Sequence, residues 1–326
     1  MKIVITGGGG FLGQQLARRI LALGSLPGPD GQPRTVDCLT LFDLAFPPQG
    51  VSDSRVEQVT GEIADRDTVA RLIDRRDIGV FHLASVVSGG GEKDFDLAMR
   101  VNLHGALHVL EALRAQGSTP RIVFSSSVAA FGGDEMPPRV SDLTKQTPLT
   151  TYGVTKSIGE LLINDYTRKG FVDGRSARLP TVIVRPGKPN AAASSFASGV
   201  IREPLAGVEC LLPVPLETVM PVAGHRTVAE GMIKLYSAES AALGPDRAFN
   251  LPSLQVSVAQ MIESLKRVAG DRKLGPIRVE RDPLVERIVA GWPTATDASR
   301  ALKLGLPVDT DVDGIIRAYI EDFLDR

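Results

Sequence analysis

The sequence predicts an α/β protein, a doubly wound parallel sheet followed by a smaller C-terminal α/β lobe. Short β-rich runs alternate with helical patterns, as strands joined by crossover helices require. A glycine-rich turn links the first run to the first helical pattern. The chain is 43% hydrophobic but only 5% aromatic, so its core is filled by the aliphatic side chains typical of helices stacked on a buried parallel sheet.

The predicted strands are Lys2–Thr6, Leu39–Phe42, Val56–Val59, Val80–Ala84, Ile122–Ser125 and Thr181–Val184. Apolar spacings of three and four mark a helix through Leu12, Leu16, Ile20 and Leu23, and another through Leu103, Leu107 and Leu110. The Pro/Gly-rich stretch Ser25–Pro33 reads as a surface loop. Beyond about residue 185 come a Pro/Gly-rich loop, a helix over Val228–Tyr236 and a strand near Ala248–Leu251. Ser257 and Gln260 form a capping box, with Val256 and Met261 as its hydrophobic staple. Val312, Ile315, Ile316, Tyr319 and Phe323 outline a terminal amphipathic helix.

With 37 Lys+Arg against 38 Asp+Glu, the formal net charge is −1, and no bulk field holds nucleic acid or an anionic membrane. Cys38 and Cys210 stand far apart, which argues for free, buried thiols in a reducing, cytoplasmic setting. Met1-Lys2 leads straight into a strand, with no pattern of a secretory leader. The apolar stretch Val208–Val222 is broken by Glu209, Glu217 and three prolines, so it cannot span a bilayer as a helix.

Gly7, Gly10 and Gly13 lie between a strand and a helix, where backbone N–H groups and the helix dipole suit a pyrophosphate. A run of glycines also suits a mere flexible turn, but the flanking elements favour a dinucleotide. Gln14-Gln15 stand where a phosphate-binding NTPase loop needs Lys and Ser/Thr, which excludes that class. Asp43 is the candidate acid for the adenosine ribose hydroxyls; it lies farther on than the usual roughly 20 residues because of the inserted 25–33 loop. A carboxylate there repels a 2′-phosphate, so NAD is expected over NADP.

Tyr152 and Lys156 are four apart and share a helix face, where an ammonium favours the tyrosinate form of a general base. Ser125-Ser126-Ser127 ends a predicted strand, the place where open α/β sheets bind ligands. His104, His108 and Glu111 sketch a metal face without a third firm ligand, so no metal is expected. Solvated or dimer-facing side chains are the plainer reading. No Gly-x-Ser-x-Gly elbow occurs, which argues against a hydrolase.

In order and spacing, the glycine loop, Gly61-Glu62-Ile63, Phe81-His82-Leu83-Ala84, Asn102, the serines and Tyr152/Lys156 resemble the extended short-chain dehydrogenase/reductase superfamily of nucleotide-sugar epimerases and dehydratases. The resemblance spans essentially the whole chain. It implies a Rossmann NAD-binding domain over 1–185 plus 221–250, and a substrate-binding lobe over 186–220 and 251–326. It makes Ser127, Tyr152 and Lys156 catalytic. It assigns Gly7, Gly10, Phe11, Leu12, Gly13, Asp43, Glu62, Ile63, Leu83, Ala84, Asn102, Ser125, Tyr152, Lys156, Pro180 and Thr181 to the cofactor.

Two nucleotide-sugar segments of the epimerases are missing; Arg185–Ser195 and Pro221–Thr227 stand in their places. The first of these, together with Ser85–Glu92, resembles the D-erythronate dehydrogenase branch, whose members oxidise a four-carbon sugar acid at C2. That implies a sugar-acid site with Ser85, Ser88, Ser127 and Asn190, and with Arg185 and Lys188 as candidate carboxylate cations. Family analogy adds a homodimer through the helices carrying Asn102 and Tyr152. The competing expectations are a nucleotide-sugar epimerase or reductase and a non-catalytic NAD-binding redox sensor.

Overall fold

The computed structural model describes residues 1–324. Seven parallel strands form the central sheet: β1 (Lys2–Thr6), β2 (Cys38–Asp43), β3 (Val56–Thr60), β4 (Ile78–His82), β5 (Arg121–Ser127), β6 (Asp173–Leu179) and, after a smaller sheet has begun, Ala248–Asn250. From one edge the order is Ala248–Asn250, β6, β5, β4, β1, β2, β3. The chain reverses its direction of travel between β1 and β4, and the carboxyl ends of those strands open onto a crevice there.

Helix α1 (Phe11–Leu23) covers one face of the sheet, burying Leu16 and Ile20 completely. Each such side chain contributes about 1.5–3 kcal/mol. On the other face lie α2 (Arg66–Leu72), α3 (Gly105–Gln116) and α4 (Thr151–Arg168), sharing a core with Val4, Val80 and Ile122. The buried stripe of α3 is Ala106, Val109, Leu110 and Leu113, because a π-helical turn over Met99–His104 rotates the entry to the helix and leaves Leu103 and Leu107 half-buried. Leu23 sits at the exposed last turn of α1.

The sixth strand of the sheet is Asp173–Leu179, which the sequence hides: DGRSARL carries two arginines and an aspartate into the interior. Arg175 is fully buried and bonded to Asp173 and to the carbonyls of Leu235 and Ala238. Arg178 forks onto the buried Glu160 of α4. Thr181–Ile183 is instead β7, the first strand of a three-stranded second sheet completed by β8 (Val219–Gly224) and Leu254–Ser257. The expected 25–33 loop contains a small hairpin, Ser25–Pro27 with Pro33–Thr35, anchored by buried Leu26. Cys38 is half-buried and Cys210 buried, both as free thiols.

The second sheet and its helices form a separate core with Phe196, Met261, Ile316 and Tyr319. The capping box at Ser257 and Gln260 is present, and Val256 and Met261 are buried in this core. Val312, Ile315, Ile316 and Tyr319 are buried on the terminal helix, with Phe323 partly so. The helix His225–Ser237 packs on the α1 face of the central sheet, and Ala298, Ala301 and Leu306 return to that same first core. Among the described residues no helix is long and apolar enough to cross a membrane.

Candidate active site

The glycine turn is built for contact between backbones. Gly7 has φ +72°, and a Cβ there would lie 2.9 Å from the Ala84 nitrogen, so only glycine lets β1 and the end of β4 meet. Gly13 stands so close to the Gly7 carbonyl that a side chain would strike it. Gln14 ties the turn down, donating to the Gly8 carbonyl at 2.6 Å and accepting from the Val51 N–H at 2.8 Å. Gly10 caps α1 without any side-chain bond, and the first turn holds no acidic residue. Its N–H groups and positive dipole end therefore face the crevice, as a pyrophosphate requires.

Asp43, at the carboxyl end of β2, accepts the Gly9 N–H at 3.0 Å and the Leu44 N–H at 2.7 Å. The carboxylate thus stands at the rim of the glycine turn, beside rather than within the crevice wall. Thr6 Oγ1 receives the N–H groups of Leu83 and Ala84, which bends the chain off β4 two residues earlier than its sequence suggested.

A cavity of about 330 Å³ runs along these strand ends. Its wall includes Gly7, Gly10, Phe11, Leu12, Gly13, Leu83, Ser125, Pro180 and Thr181 of the expected cofactor set. It also includes Ser127, Tyr152 and Lys156, with Ser85, Ser88, Arg185 and Asn190 of the expected substrate set.

Other expected residues stand back from the wall. Ile63 is buried against Gly105 in the helical core, and Glu62 is an exposed side chain 3.7 Å from Arg100. Ala84 packs behind Gly7. Asn102 is buried, exchanging hydrogen bonds with both backbone groups of Val86 and donating to Thr155 Oγ1 at 3.2 Å. It pins the loop after β4 to α4. Lys188 is exposed, and only its carbonyl turns inward, accepting from Arg185 Nη2 at 3.4 Å. Val87, Ala129, Val182, Ser194, Ser198 and Trp292 line the cavity without having been anticipated, because tertiary packing rather than any local pattern brings them there.

Helix α4 starts on Thr150, whose hydroxyl accepts the Gly153 N–H, and its first turns carry Tyr152 and Lys156 into the cavity. Ser127 sits at the end of β5 and accepts the Ala129 N–H at 3.1 Å. The Lys156 ammonium lies 4.9 Å from the centroid of Phe124 and 5.4 Å from that of Tyr152. Burial pushes the Lys156 ammonium down to about 7, with Glu160 opposing the fall. Burial also raises the Tyr152 phenol, against a hydrogen bond with Ser127 that lowers it. At Tyr152 the desolvation of burial outweighs the hydrogen bond from Ser127.

Arg185 is half-buried, and desolvation together with nearby Arg202 lowers its affinity for a proton. A partly dehydrated guanidinium whose contact with the Lys188 carbonyl is long leaves donors for an anion. His104, His108 and Glu111 lie away from this crevice; Glu111 is engaged with Tyr166 and Arg114. Among the described residues no cluster of three or more His, Cys, Asp or Glu could hold a metal ion.

The model of the NAD dependent epimerase/dehydratase family matches residues 3–251. The chain belongs to that family. It is therefore an NAD-dependent oxidoreductase of the extended short-chain type, and the uncapped start of α1 behind the close-packed glycine turn fits that cofactor. Among curated relatives, the D-erythronate dehydrogenase of Cupriavidus necator is 51% identical over 99% of this chain and 98% of its own. That of Haemophilus influenzae is 41% identical over 98% and 99%. A solved structure described as a nucleoside-diphosphate-sugar epimerase from Agrobacterium tumefaciens is 38% identical, with TM-score 0.89 over 99% of this chain and 94% of its own.

Proposed function

We propose that the protein oxidises the C2 hydroxyl of a small sugar acid, D-erythronate, to 2-dehydro-D-erythronate. The observation that carries the reading is Arg185 in the wall of the same cavity as Ser127, Tyr152 and Lys156. A planar guanidinium matches a carboxylate by two parallel hydrogen bonds. Two relatives with that activity in their names, aligned over nearly the full length, support it.

NAD, when bound, supplies the acceptor for the hydrogen that leaves C2 with its electron pair. The glycine turn and the start of α1 hold its phosphates, and Asp43 meets the adenosine ribose. Tyr152 Oη takes the hydroxyl proton, Ser127 holds the reacting oxygen, and Lys156 holds the nicotinamide ribose while its charge favours the phenolate. The central-sheet domain thus serves the cofactor, and the Arg185–Ser195 segment with the second sheet serves the acid.

A panel of sugar acids and nucleotide sugars with NAD tests the reading, followed by nicotinamide absorbance and by chromatography for epimers. NADH formation with D-erythronate and none with UDP-glucose or UDP-galactose is expected. The 38% identical structure described as an epimerase favours a second reading. Epimerised nucleotide sugar without acid oxidation would establish that reading instead.

A further inference from the structure

Trp292, the single tryptophan of the chain, stands between two cavities. One is the active-site cavity. The other, of about 280 Å³, is walled by Val214, Pro215, Val219 and Val289 of the C-terminal lobe together with the polar Thr218 and Glu286. The tryptophan follows helix Pro283–Ala290, where its backbone N–H donates to the Val289 carbonyl at 3.1 Å.

Its position along the active-site cavity is fixed by its neighbours. A Cβ on Gly132 would lie 3.1 Å from the carbonyl of Gly291, and Ala295 pairs with Arg139 in a short parallel bridge. The Gly132 segment continues directly from Ser127–Ala129, and Gly153 of α4 packs on the Ala129 carbonyl. Trp292 is thus anchored at the Ser127/Tyr152 end, away from the glycine turn that receives phosphates.

We infer that Trp292 is a specificity-determining residue, a partition whose indole limits the carbon chain that the site accepts. The inference rests on the sugar-acid reading of the same site. The acid's carboxylate is drawn to Arg185 and its C2 hydroxyl to Tyr152, so the remaining carbons extend toward the space that the indole bounds. Removing the indole joins the two cavities and gives room for a longer polyhydroxy acid. A pocket that discriminates by size changes preference by about tenfold or more per carbon unit.

The test compares kcat/KM for four-, five- and six-carbon 2-hydroxy sugar acids in the wild type, Trp292→Ala and Trp292→Phe. Expected is a rise of at least about tenfold in the ratio of five- or six-carbon to four-carbon acid for Trp292→Ala, with a smaller rise for Trp292→Phe. The Kd for NAD should be unchanged in both. An unchanged ratio in Trp292→Phe, or in Trp292→Ala where it folds, overturns the partition while leaving the sugar-acid reading intact. A wild type that oxidises none of the acids overturns that reading and the inference with it. Because this is the only indole, quenching of wild-type fluorescence by D-erythronate in the presence of NADH gives a second, variant-free readout. No change on saturation counts against contact between the indole and the acid.

Discussion

Thr6 Oγ1 lies 2.7 Å from Nδ1 of His82, joining the ends of the two strands on which the cofactor crevice rests. The same hydroxyl accepts the backbone N–H groups of Leu83 and Ala84, tying the chain after β4 to β1. The His82 ring is stacked on Phe124, and its buried Nε2 has no hydrogen-bond partner among the described residues.

Burial and the charge of Lys156 hold His82 down at about 3 from an ordinary 6.5. The unfolded chain therefore binds a proton that the folded chain refuses, and stability falls as pH drops from about 6.5 toward 3. His225 is shifted in the same direction and adds to the loss. Urea unfolding at pH 7 and pH 5 should show the decline, and His82→Gln should shrink it while lowering stability at pH 7. An undiminished decline in the variant would assign the acid sensitivity elsewhere.

Tyr152→Phe keeps the ring and its packing beside Lys156 but removes the oxygen proposed to take the proton. Turnover should fall by at least about 100-fold, with NAD affinity nearly unchanged. Initial rates and a cofactor titration separate the two effects, and retained turnover would remove the tyrosine from the chemistry.

Arg185 and Lys188 looked equivalent in sequence, but one lines the cavity and the other is exposed. Arg185→Ala should raise KM for the acid by about 10- to 100-fold, the worth of a charge-assisted hydrogen bond of about 1.5–3 kcal/mol. Lys188→Ala should leave KM close to the wild-type value. The opposite order in steady-state kinetics would move the carboxylate to the outer loop.

Asp43 presents its carboxylate at the edge of the glycine turn, where a 2′-phosphate would meet like charge. The wild type should favour NAD over NADP in kcat/KM by at least roughly tenfold, and Asp43→Ser should narrow that margin. The substitution also removes the bonds to Gly9 and Leu44, so a weaker affinity for NAD itself is part of the expected result.

The alternation of strands and helices as far as β5, the glycine turn and the placing of Tyr152 and Lys156 beside Ser127 in one cavity were legible because each has a local signature. A turn needs its glycines within a few residues, and a helix face brings positions four apart together. Strand β6 was not legible, since Arg175 and Arg178 are tolerable inside only with partners such as Glu160 and the Leu235 carbonyl that lie far along the chain. The same holds for the cavity wall: Trp292 reaches it through tertiary packing of the C-terminal lobe, and Lys188 misses it because its loop turns the side chain outward. Ile63 read as a cofactor contact by motif, while its apolar side chain found a better place against Gly105 in the helical core.

The return of Ala298, Ala301 and Leu306 to the first core has a consequence for how the chain is made. The core that holds Leu235 and Leu251 is not complete until residue 306 has cleared the ribosome, although its central strands were synthesised much earlier. The nascent sheet must wait with one shoulder open to chaperones or to its neighbours on the same message. Truncation before residue 298 should fix the chain in that waiting state, as an aggregation-prone fragment rather than a smaller working enzyme.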